Sequence, residues 1–150
     1  MITETKQTAG MSQANISELQ RVQNILARVV ARACWSISSL DICYDLHWLP
    51  VSHCITFKLC LLTWKTLHTA HPPYLSELIT HYLPSKALRS SIQIFQLDLP
   101  ASLVTWPLGH SLTSAPSTWN SLPTHIRSLD KLSTFKRQLK SHLFQFAFDD

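Results

Sequence analysis

The sequence predicts a small, mainly α-helical module with a minor β or extended segment around residues 92–112. Apolar residues recur at steps of three and four along two stretches, one near each end of the chain. This spacing places them on one face of a helix. A third stretch between them is apolar around most of its circumference, which is typical of a buried helix. Alternating apolar residues, the pattern of a strand, occur in residues 92–99.

The amino-acid composition and net charge exclude some classes of protein function. The chain has 150 residues, of which 45% are hydrophobic and 15% are charged. It therefore has enough apolar surface for one core and is unlike a disordered chain. Only two glycines are present, which excludes a glycine-rich phosphate loop. The net charge of +4 is mildly basic and well below that of a dedicated nucleic-acid-binding arm.

The protein is expected inside the cell with reduced thiols. The first ten residues are polar and lack the apolar region of a signal peptide. The most apolar run, residues 54–64, contains Lys58 and is about half the length of the ~20 residues that a membrane helix needs. We therefore expect no membrane span. The cysteines are expected to be free and mostly buried, and they are Cys34, Cys43, Cys54 and Cys60.

The first predicted helix covers residues 17–33. It follows a poorly ordered leader of residues 1–16, and residues 17–150 are expected to form a single module. Ser17 and Gln20 have the spacing of a capping box at the helix start. The face expected to be buried consists of Leu19, Val22, Leu26, Val29 and Ala33, widened by Ile25 and Val30.

The central predicted helix covers residues 50–69. Pro50 suits its first turn, where the missing N–H leaves no bond unmade. Pro72 and Pro73 end it, because proline removes a donor and restricts the residue before it. Pro73 then opens another short helix.

The other predicted elements are shorter, except for the last. Ser38 and Ser39 can cap a helix over residues 40–46. The alternation in residues 92–99 changes phase, as it would in two short strands or in one strand with a bulge. A C-terminal helix over residues 133–148 completes the expected core with the two long helices above. Prolines are expected to keep the stretch after residue 99 in turns, at Pro100, Pro107, Pro116 and Pro123.

Blocks of distinctive residue order follow one another along nearly the whole chain. They are Leu19-Gln20-Arg21-Val22-Gln23-Asn24, Leu46-His47-Trp48-Leu49-Pro50-Val51, Pro72-Pro73-Tyr74-Leu75-Ser76-Glu77-Leu78, Leu88-Arg89-Ser90-Ser91, Trp119-Asn120-Ser121-Leu122-Pro123, Ser133-Thr134-Phe135-Lys136 and Leu139-Lys140-Ser141-His142-Leu143-Phe144. In this order they resemble the C-terminal tail of LINE-type (non-LTR) retrotransposon reverse transcriptase polyproteins, downstream of the polymerase domain.

The resemblance implies a tail that helps to hold RNA or target DNA within an intact polyprotein. It covers neither the polymerase nor the endonuclease of that family, so it implies no catalysis by this chain. Two departures are typical of a degenerate copy. Residues 109–114 lack the arginine of the family's basic and aromatic block, and Cys34-Trp35-Ser36 replaces an early Thr-Gly loop.

Basic residues on three predicted helices are the candidate nucleic-acid contacts. Such side chains can neutralise phosphates, although solvated helix faces also account for them. Tryptophans can stack on unpaired bases, but Trp48, Trp64 and Trp119 lie in apolar contexts and are expected in the core. The candidate contacts are Arg21, Arg28, Arg32, Lys58, Lys65, Lys131, Lys136, Arg137 and Lys140.

No catalytic residue, metal site or cofactor is predicted, and the chain is not expected to be an enzyme. The terminal Asp149 and Asp150 look like the acidic pair of a polymerase, but no strand follows them to form the hairpin that grips metal ions. Zinc sites pair their cysteines closely in sequence, and this pairing is lacking among Cys43, His47, His53, Cys54 and Cys60.

Three functional hypotheses follow. The first is a non-catalytic remnant of a reverse transcriptase tail that has no activity of its own. The second is a weak, sequence-nonspecific RNA- or DNA-binding module. The third is a protein-interaction domain that uses the helix over residues 50–69 as its partner surface.

Overall fold

The computed structural model of the chain describes residues 12–71, 73–77, 80–81, 97–98 and 109–148. This part of the chain is mainly α-helical, as predicted. No helix in it is long and apolar enough to cross a membrane. Its elements in chain order are α1 (Gln13–Ala31), α2 (Ser39–Asp45), α3 (Val51–Thr69), α4 (Pro73–Ser76), β1 (Thr80–His81), β2 (Leu97–Asp98), α5 (Gly109–Asn120), α6 (Thr124–Arg127) and α7 (Leu132–Phe148).

Helix α1 begins four residues earlier than predicted. Ser12 is its N-cap, and the Ser12 hydroxyl accepts a hydrogen bond from the backbone N–H of Ala14 at 3.3 Å. The predicted capping box at Ser17 is therefore wrong. The Ser17 hydroxyl instead donates to the carbonyl of Gln13 at 2.9 Å within the helix, because Ser12 has already satisfied the helix start. Of the predicted leader, residues 1–11 lie outside the described residues.

Helices α2, α3 and α7 confirm the predicted elements within one residue at each end, and the short helix predicted to open at Pro73 is shorter than expected, since α4 ends at Ser76. Ser38 caps α2 through its hydroxyl, which accepts from the N–H of Leu40. Pro50 lies at the N-cap of α3, and Ala70 ends that helix in the left-handed region with φ 52°. Pro73 opens α4.

The region after residue 99 contains more helix than predicted. Residues 109–120 form α5 with Pro116 inside it, so the expected turn at Pro116 and the expected extended structure up to residue 112 are wrong. Proline in a helix interior costs about 3 kcal/mol. Pro116 is buried and Trp119, one turn later, is fully buried, and this burial offsets the lost hydrogen bond. Pro100 and Pro107 lie outside the described residues.

Within the predicted β segment, residues 97–98 form the two-residue strand β2, which pairs antiparallel with β1. Residues 92–96 and 99–108 of that segment lie outside the described residues. The Asn120 side chain holds this strand against α5. Its Oδ1 accepts from the backbone N–H of Leu97 and its Nδ2 donates to the carbonyl of the same residue, each at 3.0 Å. Leu97 is buried, so one amide connects the strand to the core.

The main core lies between α3, α5, α6 and α7. Trp64 Nε1 donates to the carbonyl of Leu129 at 2.8 Å, and Phe135 packs against the rings of both Trp64 and Trp119. Trp64 and Trp119 thus confirm the prediction of core tryptophans, whereas Trp48 is half-buried beside a second, smaller cluster. The buried residues of the main core are Leu49, Cys60, Trp64, Leu97, Trp119, Leu122, Ile126, Phe135, Leu139 and Leu143.

The prediction that α1 buries its apolar face in the core is mostly wrong. Its buried residues are Ile16 and Ala27, and Ala27 packs with Ile42 and Cys43 of α2 in the second cluster. The apolar face that was expected to be buried is largely exposed, because the side chains that face α3 are amides. The exposed members of that face are Leu19, Val22, Ile25, Leu26, Val29 and Val30.

Candidate nucleic-acid interface

Arg21 and Arg32, from the first predicted helix, differ in the positive charge that is available to a phosphate. Arg21 Nη1 lies 3.4 Å from Glu18 Oε1, and both side chains are exposed. A surface ion pair of this kind contributes little to stability, but Glu18 reduces the positive charge available to a phosphate. Arg32 follows α1 as its C-cap with φ 49° and is exposed.

Arg28 belongs to a small surface site that includes Trp35. Its Nη1 donates to the carbonyl of Cys34 at 3.0 Å, and its guanidinium carbon lies 5.3 Å from the Trp35 ring centroid. Trp35 is 80% exposed. An exposed tryptophan beside an arginine can stack on an unpaired base. The sequence alone assigned no role to Trp35. Its position in the link after the first helix, where the helical spacing of apolar residues ends, was the indication that it could be exposed.

Lys58 of α3 and Lys140 of α7 both lie close enough to Cys54 for their charges to act on its thiol. Partial burial of the sulfur raises the pKa of Cys54, and the positive charges of Lys140 and Lys58 both oppose that rise. Charges at a surface influence a thiol in this way only over a short range. Both lysines are exposed, and no carboxylate in the described part of the chain pairs with either. The packing of α3 against α7 therefore brings together two predicted contacts that are far apart in sequence.

Lys136 extends this surface along α7. It lies four residues before Lys140, which places the two side chains on the same side of the helix. We name Lys58, Lys136 and Lys140 the α3–α7 basic surface. The other predicted contacts outside α1 are exposed, but no described contact joins them to this surface; they are Lys65, Lys131 and Arg137.

A histidine on α7 adds no positive charge to this helix near neutral pH. Partial burial lowers the pKa of His142, and the neighbouring His125 of α6 lowers it further. Both effects disfavour the charged imidazolium. The positive potential of α7 is therefore supplied by its lysines and by Arg137.

The cysteines divide into two buried and two exposed residues. All four are free: Cys43 and Cys60 are buried, whereas Cys34 and Cys54 are exposed, so the expectation of mostly buried thiols holds for one pair only. Burial raises the pKa of Cys60 to about 12. No three metal-binding side chains gather into a candidate site among the residues that the structure describes. Asp149 and Asp150 lie outside those residues.

Comparisons of the chain with protein-family models, with curated proteins and with solved structures each found no match.

Proposed function

We propose that this chain is a non-catalytic helical module that binds RNA or DNA weakly and without sequence preference through the α3–α7 basic surface. On this proposal it derives from the C-terminal tail of a LINE-type reverse transcriptase. The support for that origin is the ordered series of sequence blocks, which the chain carries from residue 19 to residue 148.

The observation that supports the proposal is the packing of α3 against α7, two helices that carry the exposed Lys58 and Lys140. The charges of both lysines also act on the thiol of Cys54. Charges on a solvated helix face are usually interleaved with opposite charges. Here two lysines from different helices share one surface, and neither has an acidic partner among the described residues. A phosphate bound near both lysines would be attracted to both.

The surface is suited to the backbone of a nucleic acid rather than to its bases. Lysine ammonium groups are compact charges without the planar fork that reads guanine edges. Contacts to phosphate position a nucleic acid but carry no sequence information. Binding is therefore expected to be nonspecific and to weaken steeply as salt is added.

The structure favours α3 as a core element over α3 as a partner surface. Its residues Cys60, Thr63, Trp64 and Thr66 are buried within the chain. The hydroxyls of Thr63 and Thr66 donate to carbonyls four residues earlier in the same helix, so these two buried hydroxyls require no external partner.

Fluorescence anisotropy with labelled single-stranded RNA and with duplex DNA tests the proposal. The full chain is expected to bind both at about 50 mM salt and to lose most of its affinity by about 200 mM salt. The double variant Lys58→Glu/Lys140→Glu should weaken binding at least about tenfold and reduce the salt dependence by more than one unit of slope.

The matched control is Arg21→Glu/Lys131→Glu, which changes the net charge equally but leaves the α3–α7 basic surface intact. It is expected to keep most of the affinity. An equal loss in both variants would mean that net charge alone drives binding. No affinity for either nucleic acid at low salt would overturn the proposal and leave the hypothesis of a remnant without activity.

A further inference from the structure

Helix α1 turns a row of amide side chains toward the start of α3. The backbone N–H of Val51, at the start of α3, donates to Gln20 Oε1 at 2.9 Å. Gln23 Nε2 donates to the carbonyl of Leu49 at 2.8 Å. Gln20 Nε2 in turn donates to both Gln23 and Asn24. These amides hold α1 against the N-terminus of α3 and leave the apolar side of α1 facing outward.

That outward side is a continuous row of aliphatic side chains, which we name the α1 stripe. Its members are between 47% and 68% exposed. A contiguous apolar surface of this kind on a protein of this size usually marks an interaction site. The α1 stripe consists of Leu19, Val22, Ile25, Leu26, Val29 and Val30.

The spacing within the stripe is that of a helix pair. Leu19, Val22, Leu26 and Val29 follow one another at steps of three, four and three, the repeat of the two seam positions in a coiled coil. Ile25 and Val30 flank the seam. Because the two copies of a symmetric dimer use the same patch, a stripe that matches a helix seam can pair with itself.

We propose that the α1 stripe is a homodimer interface in which α1 packs antiparallel against α1 of a second copy of this chain. The charged residues at the two ends of the α1 stripe favour the antiparallel direction. Glu18 lies just before the stripe, and Arg32 lies just after it. Antiparallel pairing places Glu18 beside Arg32 of the second copy and Ile25 close to the twofold axis. Parallel pairing would place like charges together at both ends, which is unfavourable.

The exposed area is sufficient for a reversible dimer. Each half-exposed aliphatic residue contributes on the order of 100 Å², so two copies of the stripe would bury about 1,200 Å², the lower end for stable interfaces. Such an area is compatible with a Kd in the micromolar range. The interface does not include the α3–α7 basic surface, so the dimer is independent of the proposed nucleic-acid binding.

Sedimentation velocity of the full chain across a range of concentrations tests the dimer. Wild type should pass from monomer to dimer at about micromolar concentration. Leu26→Gln/Val29→Gln should raise the dimer Kd at least about 100-fold. Since both side chains face solvent, circular dichroism and monomer Tm should change little. The matched control Leu40→Gln/Leu62→Gln changes two exposed leucines outside the stripe and should leave the Kd unchanged.

A charge exchange tests the antiparallel direction. Arg32→Glu should weaken the dimer several-fold, because the introduced carboxylate would then face Glu18 of the second copy, and Glu18→Arg/Arg32→Glu should restore it. An unchanged Kd for Arg32→Glu would overturn the antiparallel direction. A wild-type chain that stays monomeric at about 100 μM, or a stripe variant that dimerises like wild type, would overturn the dimer itself.

Discussion

The C-terminal helices and the first helix use apolar residues in opposite ways. Helices α3, α5, α6 and α7 enclose large side chains, with Trp119, Phe135 and Leu139 fully buried. Helix α1 keeps its most regular apolar row at the surface, packs Ala27 against α2 and contacts the start of α3 through glutamine amides. The comparison shows that the spacing of apolar residues identifies a helix but does not decide which of its faces is buried. Hydrogen bonds from the polar face to the rest of the protein can bury that face instead.

The thiols provide the largest contrast between the two regions. Burial in the main core raises the pKa of Cys60 to about 12, so almost no thiolate exists there at neutral pH. Hydrogen bonds from Ser36 lower the pKa of the exposed Cys34 in the link that follows α1. We expect alkylation of Cys34 first and of Cys60 last, with rates that differ by several orders of magnitude. Peptide mass spectrometry after timed alkylation measures the order, and alkylation in denaturant is the control. Early labelling of Cys60 would contradict the burial of α3.

Truncation of one apolar side chain in each region gives the next largest effect. Phe135→Ala should lower the free energy of unfolding by about 3–5 kcal/mol, because it leaves a cavity among aromatic rings. Leu26→Ala, on the exposed stripe, should change it by less than about 0.5 kcal/mol. Urea unfolding measures both, at a protein concentration low enough to keep the chain monomeric. Equal losses would show that the α1 stripe is covered within the monomer.

These contrasts show which features of the fold could be predicted from the sequence. Helix positions were predictable because proline stops and three- and four-residue steps act locally, as at Pro50 and Pro73. The burial of α1 was not predictable in the same way, since Gln20 and Gln23 bond to backbone groups about 30 residues later in sequence. Helix α5 was missed because the buried Trp119 compensates for Pro116, and such compensation depends on tertiary contacts.

The candidate interface was predictable only as a list of basic residues. The placement of Lys58 and Lys140 on one surface depends on how α3 packs against α7, and no spacing in the sequence encodes that packing. Trp35 was overlooked for a related reason, because an aromatic residue in a short link can be buried or exposed with equal ease. Its exposure beside Arg28 is set by the fold around the end of α1.

The glutamine contacts of α1 are expected to have a moderate effect on stability. Gln20→Ala would leave the N–H of Val51 without its acceptor and should lower the free energy of unfolding by about 1–2 kcal/mol, the usual loss for an unpaired, partly buried polar group. Gln23→Ala would leave the carbonyl of Leu49 with the Cys54 thiol as its donor, at 3.4 Å. Because a thiol is a weak donor, this variant should still lower the free energy of unfolding, by about 1 kcal/mol. Gln138→Ala, on the exposed side of α7, is the matched control and should change stability little. If all three variants behaved alike, the amides would not be what holds α1 in place.

Acidification should give the smallest effect and should act on the C-terminal helices. The pKa of His142 is lowered from its usual 6.5 by partial burial and by His125, so the folded chain resists a proton that the unfolded chain accepts. As pH falls through about 6.5, the unfolded state therefore binds more protons, and stability decreases. Thermal unfolding at pH 7.5 and pH 5.5 should show a lower Tm at the acidic pH, and His142→Gln should reduce that difference. The described part of α1 contains no histidine, so an acid loss that persists undiminished in His142→Gln would place the titrating group elsewhere than at the contact between α6 and α7.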